Sequence, residues 1–175
     1  MQDSPYSGKD TAAYISAVEA LVGDQDPLEI LGRMSRKLAE FFANIPENSL
    51  ALPEADGKWS MRQVVDHLFD VELVYGERTR MTLASDQPRY LNMDQDEWAA
   101  RNWYGSLNLQ SMLDALGSFR NVNIAMLSSL STEQKQRFGI HSKRGNESIS
   151  DLIRRWAGHD LLHLRQLDRI RIAVG

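Results

Sequence analysis

His159-Asp160-Leu161-Leu162-His163 sits inside the last helical stretch of the chain, residues 150–172, and its reading decides the fold. Histidines four residues apart on a helix project from one face. Steps of three and four through Leu152, Trp156, His159, His163, Leu167 and Ile170 trace a single stripe whose other members are all apolar. Such a stripe faces a core. A polar group buried without a partner costs about 1–3 kcal/mol. Two imidazoles on that stripe therefore need hydrogen-bond acceptors or a shared metal ion.

The same periodicity runs through the rest of the chain. Ser60-Met61-Arg62-Gln63 has the form of a capping box. It opens a helix to about Leu83 with an inward stripe of Val64, His67, Val71 and Val74, flanked by Leu68 and Tyr75. Asp10 is the expected N-cap of a short helix over 11–22. Asp26-Pro27 starts a second, with Leu28, Leu31, Leu38, Phe41, Phe42 and Ile45 on one face and Pro46 as its stop. Ser106 or Asn108 caps a long helix to Leu130, lined by Met112, Leu113, Leu116, Phe119, Asn123, Met126 and Leu127. Residues 94–103 read as a short aromatic-rich segment across the bundle, and Ser131-Thr132-Glu133-Gln134 starts a short turn. Residues 46–58, 85–91 and 138–147 read as loops, and alternation at period two is absent, so no strand is expected. The expectation is an all-α, four-helix bundle with short accessory helices, one domain over 1–175 with residues 1–9 flexible.

Composition narrows the function. The 175 residues are 42% apolar and 25% charged, ordinary for one globular domain. A net charge of −4 offers no attraction to nucleic acid or an anionic membrane. No apolar run reaches the roughly 20 residues of a membrane span. The polar first ten residues lack the basic start and apolar middle of a signal peptide, which fits a cytoplasmic protein. The chain has no cysteine, which excludes disulfides, thiolate metal sites and a cysteine nucleophile.

Three of the four histidines, His67, His159 and His163, thus lie on inward stripes of two helices. Packed helices can bring such residues together. Three neutral imidazoles suit a divalent first-row ion and leave a coordination position open for substrate. The alternative is a set of core histidines, each bonded to a carbonyl or carboxylate. Asp66 and Asp160 are adjacent to ligand candidates in sequence, so they point elsewhere and read as solvated surface. Asp70, one turn from His67, reads as an outer partner of the site or an exposed carboxylate. Asp160 stands where a zincin would carry Glu, so protease chemistry is a poor match.

These residues resemble a known family. The stretch Trp59-Ser60-Met61-Arg62-Gln63-Val64-Val65-Asp66-His67-Leu68-Phe69-Asp70 resembles the W-S-x-R-Q-V-x-x-H-L-x-D signature of DinB-like proteins, in particular their YfiT/bacillithiol-transferase-like branch. Asp94 to Trp98, His141-Ser142-Lys143-Arg144-Gly145 and the closing His159-x3-His163-x2-Gln166 follow in family order. The resemblance implies a four-helix bundle, a homodimer, and a divalent metal on His67, His159 and His163. Zinc or nickel comes first, iron or manganese next.

The leading expectation is a metal-dependent transferase that adds a low-molecular-weight thiol to an electrophile. A metal-held thiol loses its proton near neutral pH, and this cysteine-free chain must take that thiol from a cosubstrate. The alternatives are a metal-dependent hydrolase that activates water, or a non-catalytic metal-binding stress or interaction module. His141 and Arg144 are candidates to hold an anionic group of the thiol. Asn123 and Gln166 are candidate hydrogen-bond partners of ligand or metal site, each with a plain packing alternative. Trp59, Trp98, Trp103 and Tyr104 are candidate pocket walls or packing residues.

Overall fold

A computed structural model of the chain describes residues 11–101 and 103–175. The expected flexible segment 1–9 and the Asp10 cap lie outside the described residues. In chain order the helices are α1 (Thr11–Val22), α2 (Pro27–Phe42), α3 (Met61–Ala84), α4 (Gln95–Arg101), α5 (Leu109–Ser128), α6 (Thr132–Gln136) and α7 (Ile149–Val174). Among them α2, α3, α5 and α7 are the four long ones and form the bundle. Asp26 caps α2 through the Leu28 N–H, with Pro27 in the first turn. Asn108, the second of the two expected caps, holds the start of α5. No helix among the described residues is long and apolar enough to cross a membrane.

Helix α7 packs on α1, α2 and α3, while α5 packs on α2 and α3. The core divides into two apolar clusters. One gathers Leu38, Trp59, Val64, Leu68, Met112, Leu116 and Leu167. The other gathers Leu31, Val71, Tyr75, Leu127, Leu152 and Trp156. His67 falls between Val65 of the first cluster and Val71 of the second, and His159 and His163 fall between Trp156 of the second and Leu167 of the first. The polar site is therefore set at the seam of two dry cores. Gly158 lets α1 approach here: a Cβ on it would stand 2.1 Å from the Val18 carbonyl oxygen.

Two expectations are corrected. Parts of the segments read as loops form a three-stranded sheet of β1 (Arg89–Tyr90), β2 (Phe138–His141) and β3 (Gly145–Ser148), in the order β1-β2-β3. β2 and β3 are an antiparallel hairpin with His141 opposite Gly145, and β1 runs parallel to β2 with Tyr90 opposite His141. Strands of two and four residues are too short for alternation to register, and the β1–β2 pairing joins residues just over fifty positions apart. The second correction is on α5, where Phe119 is 47% exposed while Arg120 is buried on the stripe of Met112, Leu116, Asn123 and Leu127. An arginine occupies a core position because two carboxylates meet it there.

Candidate metal centre

Both helices that carry the histidines have locked starts. Ser60 forms a reciprocal capping box with Gln63 at the head of α3, and Ser148 forms one with Asp151 at the head of α7. With the helices antiparallel, His67 meets His159 and His163 across the seam. The Nε2 of His159 is 3.0 Å from the Nε2 of His67 and 3.0 Å from the Nε2 of His163. All three rings are buried, and their ligand-capable nitrogens lie within 4.8 Å of one another. Trp59 closes one side, its ring centroid 4.9 Å from that of His67 and stacked at 6.4 Å on His163.

Burial holds all three imidazoles neutral. It pushes His67 and His159 well below the usual histidine range, with the neighbouring His163 adding to both. Burial likewise lowers His163 to about 4, against the hydrogen bond to Gln166. That bond, 2.7 Å from His163 Nδ1 to Gln166 Oε1, places the ring hydrogen on Nδ1 because the amide oxygen only accepts. His163 therefore presents an Nε2 lone pair to the other two rings.

This donor set fits a divalent ion. Without a cation, the two contacts at His159 Nε2 depend on one hydrogen shared between two acceptors. Nδ1 of His67 and Nδ1 of His159 have no hydrogen-bond partner among the described residues, so no backbone or carboxylate contact there accounts for either buried ring. A cation at the common point would accept all three lone pairs. Gln166 already fixes one ligand's tautomer, as acceptors behind metal-bound histidines do.

Other expected site residues lie elsewhere. Asp160 is fully buried, not solvated: Arg120 donates to its Oδ2 at 2.5 Å and to Glu72 Oε2 at 2.6 Å. Asn123 donates to Glu72 Oε1 at 2.7 Å and accepts from Arg80 at 2.8 Å, so its amide belongs to this charge network. Asp66 is also buried and is bonded by Arg62 at 3.0 Å, which corrects its reading as a solvated carboxylate. Asp70 is buried and accepts from the Tyr104 hydroxyl at 2.7 Å, and burial raises its pKa to about 6. Arg144 is bound two-pronged to Glu147 at 2.8 and 2.9 Å. His141 Nδ1 accepts the backbone N–H groups of Lys143 and Arg144. Trp98 and Trp103 pack edge to face, with Trp103 58% exposed.

Sequence reading missed Glu72 and Arg120. The available signal was Arg120 on a stripe otherwise built from Met112, Leu116 and Leu127, an arrangement that requires buried counter-charges on facing helices.

Comparison with known proteins agrees with this geometry. Residues 30–167 match the sequence profile of the DinB superfamily. A protein of Oceanobacillus iheyensis named as a candidate metal-dependent hydrolase is 23% identical over 133 residues, 76% of each chain. YfiT of Bacillus subtilis, named in the same way, is 23% identical over 146 residues, 81% of this chain and 82% of its own. The solved structure of that YfiT, described as a four-helix bundle of unusual topology, superposes with a TM-score of 0.78 at 18% identity, covering 98% of this chain and 94% of YfiT. With a family profile matched over most of its length and a bundle of the same shape, the chain belongs to the DinB superfamily.

Proposed function

We propose that the chain is a metal-dependent enzyme with His67, His159 and His163 as ligands of one divalent ion, zinc or nickel before iron or manganese. Its reaction is the transfer of a small thiol to an electrophilic carbon. The observation that carries this reading is the convergence of three neutral, buried Nε2 atoms from two helices. The ion would supply charge that lowers the pKa of a bound nucleophile, and three neutral ligands leave that charge undiminished.

The chain's own residues do the rest. Gln166 orients His163, and Trp59 walls the rings from water. The buried carboxylates Asp66, Asp160 and Glu72 are each engaged by arginine, whereas Asp70, one turn after His67 on α3, is held by the Tyr104 hydroxyl instead. A thiol needs little help to ionise, starting from a pKa of about 8.5, so this sparsely equipped site suits it.

Hydrolysis is the second reading, favoured by the names its relatives carry. It also has a base at hand in Asp70, poised at about 6. A homodimer and a cytoplasmic site of action belong to the same proposal, with exposed Trp103, Phe119 and Val122 as surface for a second copy.

The deciding experiment starts with metal analysis of protein purified without an affinity tag, where one ion per chain is expected. Consumption of an epoxide or chlorinated electrophile is then followed with and without small thiols. Turnover that requires thiol supports transfer. Turnover unchanged on leaving the thiol out rejects it in favour of hydrolysis.

A further inference from the structure

A second polar cluster lies beyond the imidazoles, between α3 and the small sheet. Arg78 is 5% exposed, yet its one hydrogen bond is to the Leu91 carbonyl at 2.8 Å. No carboxylate among the described residues lies within ion-pair distance of it. The contrast with its neighbours is sharp. Arg120 holds two carboxylates, Arg144 grips Glu147 with two nitrogens, and Arg155 reaches Glu147 at 2.6 Å and Glu19 at 3.0 Å. The Glu147 oxygens are thus taken by Arg144 and Arg155. Arg78 instead lies over two tyrosine rings, 5.8 Å from the centroid of Tyr75 and 5.6 Å from that of Tyr90.

His141 adds an independent observation. It is the strand partner of Tyr90, so it flanks the ring that Arg78 covers. Its Nδ1 accepts two backbone N–H groups, which leaves the ring hydrogen on Nε2. That Nε2 is buried and has no hydrogen-bond partner. Burial, with the charges of Arg144, Arg78 and Arg155, keeps the ring neutral, so Nε2 offers one N–H to an acceptor that none of the described residues supplies. A buried guanidinium with no counter-ion and a buried donor with no acceptor among the described residues are both expensive, and one anion answers both.

We propose that Arg78 and His141 form a subsite for the carboxylate group of a small organic acid. The subsite carries one open cationic group with Glu147 beside it, which suits a single negative charge and repels a dianion such as phosphate. Tyr75 connects it to the histidine centre: its ring takes Arg78 on one side and stacks at 5.3 Å on Trp156, one turn before His159. The subsite is independent of which reaction the three imidazoles serve, and it does not use Arg144.

The test is side-chain NMR of the full-length 15N-labelled protein, titrated with propionate and, at matched ionic strength, with phosphate and chloride. Saturable shifts of the His141 Nε2–H and the Arg78 Nε–H with propionate, absent with the inorganic ions, are expected. Arg78→Met should weaken propionate binding at least tenfold while metal content stays as in the parent protein, which separates this subsite from the metal reading. Should Arg78→Met fail to fold, the resonances of the unmodified protein still decide. No saturable shift, an equal response to phosphate, or unchanged propionate binding in a folded Arg78→Met would overturn the proposal.

Discussion

Two buried polar clusters share the middle of α7, and adjacent residues belong to each. His159 enters the imidazole triad and Asp160 enters the network of Arg120 and Glu72. The network pairs its charges: the Arg120 guanidinium donates to two carboxylates and the Leu31 carbonyl, and Asn123 donates to Glu72, although Arg120 Nη2 and Asp160 Oδ1 have no partner among the described residues. The triad has no such pairing, because three neutral rings meet at their Nε2 atoms and Nδ1 of two of them has no partner among the described residues. A polar cluster in which every charge meets an opposite one is holding helices together. One left unbalanced in the same surroundings is built for something that arrives from outside.

The largest test breaks the paired cluster. Arg120→Leu strands two carboxylates in the core and should cost about 3–5 kcal/mol, read from denaturant unfolding of the metal-free protein. Replacing Glu72 and Asp160 by Leu in the same chain should recover most of that loss, since an apolar substitute for a complete ion cluster is often neutral. If the triple variant is as unstable as the single one, the network's role is not the balance of its charges.

His159→Leu sharpens the contrast from the other side. It should leave the metal-free fold within roughly 1.5 kcal/mol of the parent, because it removes a polar ring whose Nδ1 has no partner among the described residues. Stoichiometric metal should nonetheless be lost, as read by elemental analysis. Gln166→Leu releases the tautomer of His163 and should weaken metal affinity about 10–100-fold with little change in stability.

The smallest expected effect is on pH. His141 and His163 sit near 4 in the fold against about 6.5 when unfolded. Between those values the unfolded chain binds protons that the folded chain does not. Their contribution is therefore full above pH 6.5 and drains away as the pH falls toward 4. Asp70, raised to about 6, works in the opposite direction over part of that window. Unfolding of the metal-free protein should thus become easier from pH 7 to pH 5, and His141→Gln should flatten that slope.

The comparison also explains what could be read in advance. The triad was visible because a histidine on an apolar stripe is conspicuous, and His67, His159 and His163 each interrupt one. The capping boxes at Ser60 and Ser131 and the Pro27 start were equally local, so those helices began where expected. Arg120, Glu72 and Asp160 were hidden because a charged residue reads as solvent-facing until its partners on other helices are known. The sheet escaped for a related reason. Arg89 and Tyr90 pair with residues some fifty positions away, and no window of sequence contains both.

The capping boxes carry a further consequence. Ser60 lies seven residues before His67, close to two full turns, and Ser148 lies eleven before His159, close to three. Each ring is thus measured out from a fixed datum by a whole number of turns. Adding or deleting one residue in either interval would swing its imidazole by about 100° around the helix axis, while leaving every residue type in place. Over these two intervals the chain should tolerate substitution far better than any change of length.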